Sequence, residues 1–133
     1  MRFALGNMEV RPVVKIILGI WCACLIVGGA THIFDNIYFG LLPYKFAPLW
    51  LNIYWSALGV LDLLAVFLLL KYRLQGILLT LAIMFSNVIV NSIAYYSLGV
   101  ISDAWSLQLQ ALFFGFCLGS AFLLWRTGIV KHA

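Results

Sequence analysis

The residues of this chain best suited to chemistry are a carboxyl and several amides that lie within otherwise apolar sequence. Asp62 follows Asn52, Trp55 and Gly59 at spacings of three or four residues, so the four form one stripe on a helix. A carboxyl in hydrocarbon is costly, and it marks a functional site or a bond between helices. The stripe predicts a proton, cation or amine site at Asp62. The alternative is a neutral Asp62 that joins two helices through a hydrogen bond.

Other polar residues also fall on helical faces. His32 and Asp35 are three residues apart, which favours a proton-responsive or ligand-binding group; the alternative is a helix end whose polar groups reach water. Later segments contribute four more polar residues, of which the first three are spaced four apart: Asn87, Asn91, Tyr95 and Gln108. We predict that these side chains converge on a polar cavity that narrows toward Asp62. A self-satisfied polar core is the alternative.

No catalytic or metal-binding pattern is visible in the sequence. His32 has no hydroxyl partner in its sequence neighbourhood, and metal-ligand spacing is absent. Cys22, Cys24 and Cys117 lie in apolar segments without a Cys-x-x-Cys pair, and Cys22 and Cys24 point to different sides of one helix. The thiols are therefore interpreted as packing residues. The sequence favours a protein without catalysis of its own, without a metal ion and without a cofactor.

The elements that must position these residues are membrane helices. The chain has 133 residues, of which 65% are hydrophobic and only 9% are charged, against about 25% charged residues in a soluble domain. This composition excludes a soluble enzyme, a nucleic-acid-binding domain and a disordered tail. Four apolar stretches approach the length of about 20 residues that a spanning helix needs: residues 16–34, 49–70, 74–96 and 104–125.

Short connections between these stretches require consecutive helices to be antiparallel neighbours. The prediction is therefore a single domain over residues 1–133, an all-α antiparallel four-helix transmembrane bundle. In the last stretch, Gly115-x-x-x-Gly119 predicts a close helix contact, and Gly19, Gly28 and Gly29 predict the same in the first stretch.

The distribution of basic residues predicts the orientation of the bundle. Of the eight Lys and Arg residues, only Lys45 falls on one side of the membrane. The other seven fall on the opposite side: Arg2, Arg11, Lys15, Lys71, Arg73, Arg126 and Lys131. Cytoplasmic loops retain Lys and Arg, so both termini are predicted to be cytoplasmic. The net charge of +4 then reflects topology and contact with lipid headgroups, and no nucleic-acid partner is expected.

Several short motifs resemble DoxX-like membrane proteins. They are Lys15-Ile-Ile-Leu-Gly19, Gly28-Gly29-Ala-Thr-His32, Leu58-Gly59-Val-Leu61-Asp62-Leu-Leu, Leu68-Leu-Leu70 with Arg73, and Gly76-Ile-Leu-Leu79 with Met84. Asp62 stands where the family usually has Glu. The resemblance covers about half of the chain and does not extend to the fourth helix. It implies a four-helix protein of the bacterial inner membrane that is accessory to a redox complex, with Asp62 as the one residue carried over.

These observations together predict a non-catalytic inner-membrane protein. Its polar cavity is expected to bind a small or amphipathic ligand, such as a quinone-like molecule, or else a membrane protein partner or a second copy of the chain. Two other classes stay open. One is a small proton-coupled transporter or oligomeric channel, in which Asp62 would carry the proton. The other is an immunity-type protein against a membrane-active toxin, which rests on size and topology alone.

Overall fold

The structure, a computed structural model, describes residues 2–129 and the side chains of residues 11–128. Within that range the chain is helical and has no strand: α1 (Arg2–Tyr38), α2 (Leu49–Lys71), α3 (Arg73–Ser92), a π-helical turn (Ile93–Ser97) and α4 (Ala104–Ile129). The described residues contain four helices that are long and apolar enough to cross a membrane. This confirms the predicted all-α class and the number of candidate spans. Lys131 lies outside the described residues.

The first helix continues well past its predicted end at residue 34. Asn36 donates from Nδ2 to the carbonyl of His32, four residues earlier, at 2.8 Å. The amide of Phe39 donates to the carbonyl of Asp35 at 2.9 Å. Gly40 then adopts a φ of +88°, which ends the helix. Asp35 therefore belongs to α1, as its helical spacing from His32 assumes, and the first helix ends later than predicted.

The contact between α1 and α2 depends on three glycines, Gly28, Gly29 and Gly59. A Cβ at Gly59 would lie 2.8 Å from Cγ1 of Ile33, and one at Gly29 would lie 3.2 Å from the carbonyl oxygen of Gly59. The two backbones thus approach too closely for larger side chains. Gly19, Gly115 and Gly119 behave differently, since nothing described lies within 4 Å of a Cβ at any of these positions, and the close contact predicted at Gly19 is wrong. The close contact predicted from the Gly115-x-x-x-Gly119 motif is therefore wrong.

The connection between α2 and α3 is a single residue, Tyr72. Its amide donates to the carbonyl of Leu68 at 2.6 Å, and its carbonyl accepts from the amide of Gly76 at 3.0 Å. A Cβ at Gly76 would overlap the backbone of Leu69. Only glycine can therefore occupy position 76 while the two helices meet at this angle.

The helices pack in sequence order, α1 on α2, α2 on α3 and α3 on α4, with a smaller contact between α1 and α4. In that smaller contact, the buried Trp21 donates from Nε1 to Oγ of Ser120 at 3.0 Å. The thiols of Cys22 and Cys117 are buried nearby in the core, whereas Cys24 is exposed, and all three are free. Cys22 and Cys24 therefore lie on different sides of α1, as their spacing predicts.

Candidate functional site

A cavity of about 360 Å³ opens at one end of the bundle, where the connections 39–48 and 98–103 come together. We call it the loop pocket. It is lined by residues from the helices and from both connections: His32, Asp35, Tyr44, Phe46, Trp55, Asn91, Val100, Ile101, Ser102, Asp103, Ser106 and Gln110. Its volume is at the lower end of the range for small-molecule sites. The loop pocket can therefore hold a small ligand.

Tyr44 links His32 and Asp35 on one wall of the loop pocket. Its hydroxyl donates to Oδ2 of Asp35 at 2.8 Å and lies 2.8 Å from Nδ1 of His32. A phenol has one proton, so the hydroxyl that donates to Asp35 accepts from His32. This network assigns the histidine proton to Nδ1 and leaves Nε2 as an acceptor in the neutral ring. Sequence spacing paired His32 with Asp35 but offered no hydroxyl, because Tyr44 lies in the connection.

The environment of Tyr44 keeps its hydroxyl protonated. Burial and the hydrogen bond to the Asp35 carboxylate raise the pKa of Tyr44 well above its ordinary value of 10.0. Burial disfavours the charged phenolate, and ionisation would also place a second negative charge beside Asp35. Both causes therefore favour the neutral phenol. The link between His32 and Asp35 therefore persists across the neutral pH range.

Asn52 holds the connection that carries Tyr44. Its Oδ1 accepts from the amide of Tyr44 at 3.1 Å, and its Nδ2 donates to the carbonyl of Leu42 at 3.0 Å. On the other side, Oδ1 of Asn36 accepts from the amide of Leu42 at 3.3 Å. Leu42 has a φ of +56°, which costs free energy in a non-glycine residue. Asn52, predicted to bind ligand, instead positions Tyr44 and does not line the described pocket.

A second chain of hydrogen bonds beside the loop pocket crosses three helices. Trp55 of α2 donates from Nε1 to Oδ1 of Asn91 on α3 at 2.8 Å. Asn91 donates from Nδ2 to Oε1 of Gln110 on α4 at 2.6 Å. The predicted amide of α4 was Gln108, but that residue is exposed. Two helical residues turn the side chain by about 200°, so Gln110 faces inward where Gln108 faces outward.

Two predicted residues of α3 and its continuation lie away from the loop pocket. Asn87 accepts at Oδ1 from the hydroxyl of Tyr54 at 3.0 Å, which joins α3 to α2. Tyr95 falls in the π-helical turn, where the amide of Leu98 donates to the carbonyl of Ile93, five residues earlier. The extra residue in this turn shifts the side-chain register. Tyr95 therefore leaves the face of Asn91 and packs edge-on against Tyr96, with ring centroids 4.8 Å apart.

Asp62 lies in the contact between α1 and α2, apart from the loop pocket. Its side chain is only 5% exposed, and Oδ1 has no hydrogen-bond partner among the described residues. A Cβ at Gly28 would lie 3.0 Å from Oδ2 of Asp62, and one at Gly29 would lie 3.1 Å from its Cβ. We call this region the Asp62 contact. The hydrogen bond predicted for a neutral Asp62 is not made at Oδ1 within the described chain.

The structure thus brings together only part of the predicted site. His32, Asp35, Trp55 and Asn91 line the loop pocket, while Asn52, Asp62, Asn87, Tyr95 and Gln108 do not line it. Residues 11–128 contain no group of three His, Cys, Asp or Glu side chains that could hold a metal ion. No family model, curated protein or solved structure matches this chain.

Proposed function

We propose that this chain is an inner-membrane protein whose loop pocket binds a small amphipathic ligand without transforming it. The observation that carries this proposal is the pocket itself, a cavity of about 360 Å³ whose polar walls are organised by hydrogen bonds across the helices. Its apolar surface comes from Trp55 and Phe46, whose ring centroids lie 6.2 Å apart. Polar and aromatic groups in one cavity suit a ligand with one polar and one apolar end.

The proposal includes antiparallel helices and cytoplasmic termini, so that the loop pocket faces the other side of the membrane. Lys71 and Arg73 flank the short turn between α2 and α3. A Cβ at Gly128, near the end of α4, would lie 3.0 Å from Cγ of Arg73, which supports a common end for these cations. The end with the loop pocket carries one described basic residue, Lys45. This asymmetry is typical of cytoplasmic retention of Lys and Arg.

The experiment uses the full chain in detergent with compounds of similar size: 2-phenylethylamine, 2-phenylethanol, 3-phenylpropionate and a short-chain quinone. We expect at least one compound to raise the thermal unfolding temperature, because a ligand that binds only the folded state stabilises it. Replacing Gln110 by Leu should abolish the increase. Gln108→Leu is the matched control and should retain it, since that side chain is exposed. Equal responses in the two variants, or no response to any compound, would contradict ligand binding in the loop pocket.

A second candidate function, proton-coupled transport, is favoured by Oδ1 of Asp62, which has no hydrogen-bond partner among the described residues. Buried carboxyls of this kind occur in proton pathways. The test is proton flux into proteoliposomes that contain a trapped pH-sensitive dye. We expect Asp62→Asn to lose the flux and Gln108→Leu to keep it. Flux that is equal in the two variants, or absent in the unmodified chain, would remove this candidate.

A further inference from the structure

The charged groups that line the loop pocket are carboxylates. Asp35 and Asp103 face the cavity, and no Lys or Arg belongs to its lining within the described chain. Lys45 lies in the connection between Tyr44 and Phe46, but it is exposed and does not line the cavity. An anionic ligand would therefore meet two like charges without a compensating cation, whereas a cationic ligand would be attracted.

The hydrogen bonds within the walls use several of the available donors and leave acceptors free. The hydroxyl of Tyr44 donates to one oxygen of Asp35, which leaves Oδ1 of that carboxylate for a ligand. Trp55 donates its indole proton to Asn91. Asp103 uses Oδ1 for the amide of Trp105 at 3.0 Å, which leaves its second oxygen. Together with Nε2 of neutral His32, these acceptors match an ammonium group, which has three donors and no acceptor.

Aromatic rings stand beside these acceptors. The ring centroids of Tyr44 and Trp55 lie 5.3 Å apart with a T-shaped geometry, and those of Tyr44 and Phe46 lie 6.3 Å apart. Ring faces attract cations, most strongly when the cation is shielded from water. The same rings offer apolar surface to the remainder of a small ligand, alongside Val100 and Ile101.

Building on the proposed function, we infer that the ligand of the loop pocket is a small organic amine in its ammonium form, with an apolar or aromatic group attached. The ammonium binds between Asp35 and Asp103, and the apolar group packs against Trp55 and Phe46. Carboxylates of the same size are excluded by charge. Neutral analogues fit the cavity but lack the ionic contact, so they bind more weakly.

Calorimetric titration of the full chain with 2-phenylethylamine, 2-phenylethanol and 3-phenylpropionate at pH 7.5 tests this inference. A hydrogen-bonded charge pair is worth about 1.5–3 kcal/mol, so we expect the amine to bind about 10-fold to 100-fold more tightly than the alcohol. The acid should not bind. Asp35→Asn should reduce the preference for the amine over the alcohol, because it removes one of the two negative charges while an amide oxygen still accepts from Tyr44.

The outcomes separate the ligand class from the binding function. Equal affinities for amine and alcohol would overturn the amine inference and leave the proposed function standing. Failure of all three compounds and of the quinone to bind would overturn both. Asp103→Asn is the second variant, which keeps the test decisive if Asp35→Asn does not fold, and it should also lower the affinity for the amine. Gln108→Leu should bind all compounds like the unmodified chain.

Discussion

The loop pocket and the Asp62 contact both hold buried polar side chains, and the two regions treat them differently. In the loop pocket, side chains from α1, α2, α3, α4 and the connections pass hydrogen bonds to one another, as in the chain from Trp55 through Asn91 to Gln110. In the Asp62 contact, glycines bring two backbones together and leave Oδ1 of Asp62 with no described partner. A hydrogen-bond network requires room for several polar side chains. A close contact between two helix backbones leaves space for only one polar side chain.

This difference predicts opposite responses to substitution. The loop pocket depends on which polar atoms are present, so removing one should leave others unpartnered and cost stability. The Asp62 contact depends on the absence of side-chain volume, so adding volume should cost more than removing the carboxyl.

The largest effect is expected for Gly59→Val, which tests the close backbone contact. The new side chain would collide with Ile33, because even a Cβ would lie 2.8 Å from its Cγ1. We expect a loss of about 3 kcal/mol in the free energy of unfolding, the upper part of the usual range for overpacking. Gly115→Val is the matched control and should unfold like the unmodified chain in denaturant titrations. Similar losses in both variants would mean that glycine acts through helix propensity rather than through the contact.

A smaller loss is expected for Asn91→Leu, which interrupts the network of the loop pocket. The substitution leaves the indole of Trp55 and the amide of Gln110 without their partner, and we expect a cost of about 2 kcal/mol. Denaturant titration followed by helical circular dichroism measures it. Gln108→Leu should change stability little. If Asn91→Leu were as stable as the control, the network would not hold the three helices together.

Tyr44→Phe removes one hydroxyl from the link between His32 and Asp35 and should cost about 1 kcal/mol. The pKa of Tyr44 is raised in the folded state, so its contribution is fully present below pH 10 and is lost as the pH rises through the folded-state pKa. The stability difference between the unmodified chain and Tyr44→Phe should therefore be constant from pH 7 to pH 9 and shrink in more alkaline buffer. Tyr38→Phe is the control, since Tyr38 is 70% exposed. A difference that grew with pH would contradict the assigned direction of donation.

The smallest effect is expected for Asp62→Ala. The carboxyl makes no hydrogen bond at Oδ1 in the described chain, so its removal should change the unfolding free energy by less than about 1 kcal/mol and can even raise it. Thermal unfolding in detergent measures the change. Asp35→Ala, which deletes the acceptor for Tyr44, should be more destabilising. If Asp62→Ala lost more unfolding free energy than Asp35→Ala, the loop pocket would not depend on its polar atoms more than the Asp62 contact does.

The sequence predicted the helices because apolar length is a local property of the chain. It also predicted His32, Asp35, Trp55 and Asn91, because helical spacing places residues on faces without reference to the remainder of the fold. Connections have no such periodicity, so Tyr44 and Asp103 were not predicted to line the pocket. Gln110 was missed for another reason: α4 is apolar on all sides, and nothing in its pattern distinguishes the inward face.

Tyr95 lies away from the loop pocket, and Gly115 and Gly119 make no close contact, for a shared physical reason. Both inferences assumed a regular helix facing a partner. Tyr95 lies within the π-helical turn, which shifts the register, and Gly115 and Gly119 face no other described element. The neighbouring helices determine the hydrogen-bond register and the tertiary contacts of a helix. Neither can be predicted directly from a single sequence.

The single-residue connection at Tyr72 has a consequence for how the protein reaches the membrane. With Gly76 against the backbone of Leu69, α2 and α3 have no loop that could separate them, and Lys71 and Arg73 remain together at the turn. Such a pair favours insertion as one hairpin rather than as two successive spans. During biogenesis, α2 and α3 would then enter the lipid together, and Asp62 would be covered only once α1 packs its glycines against α2.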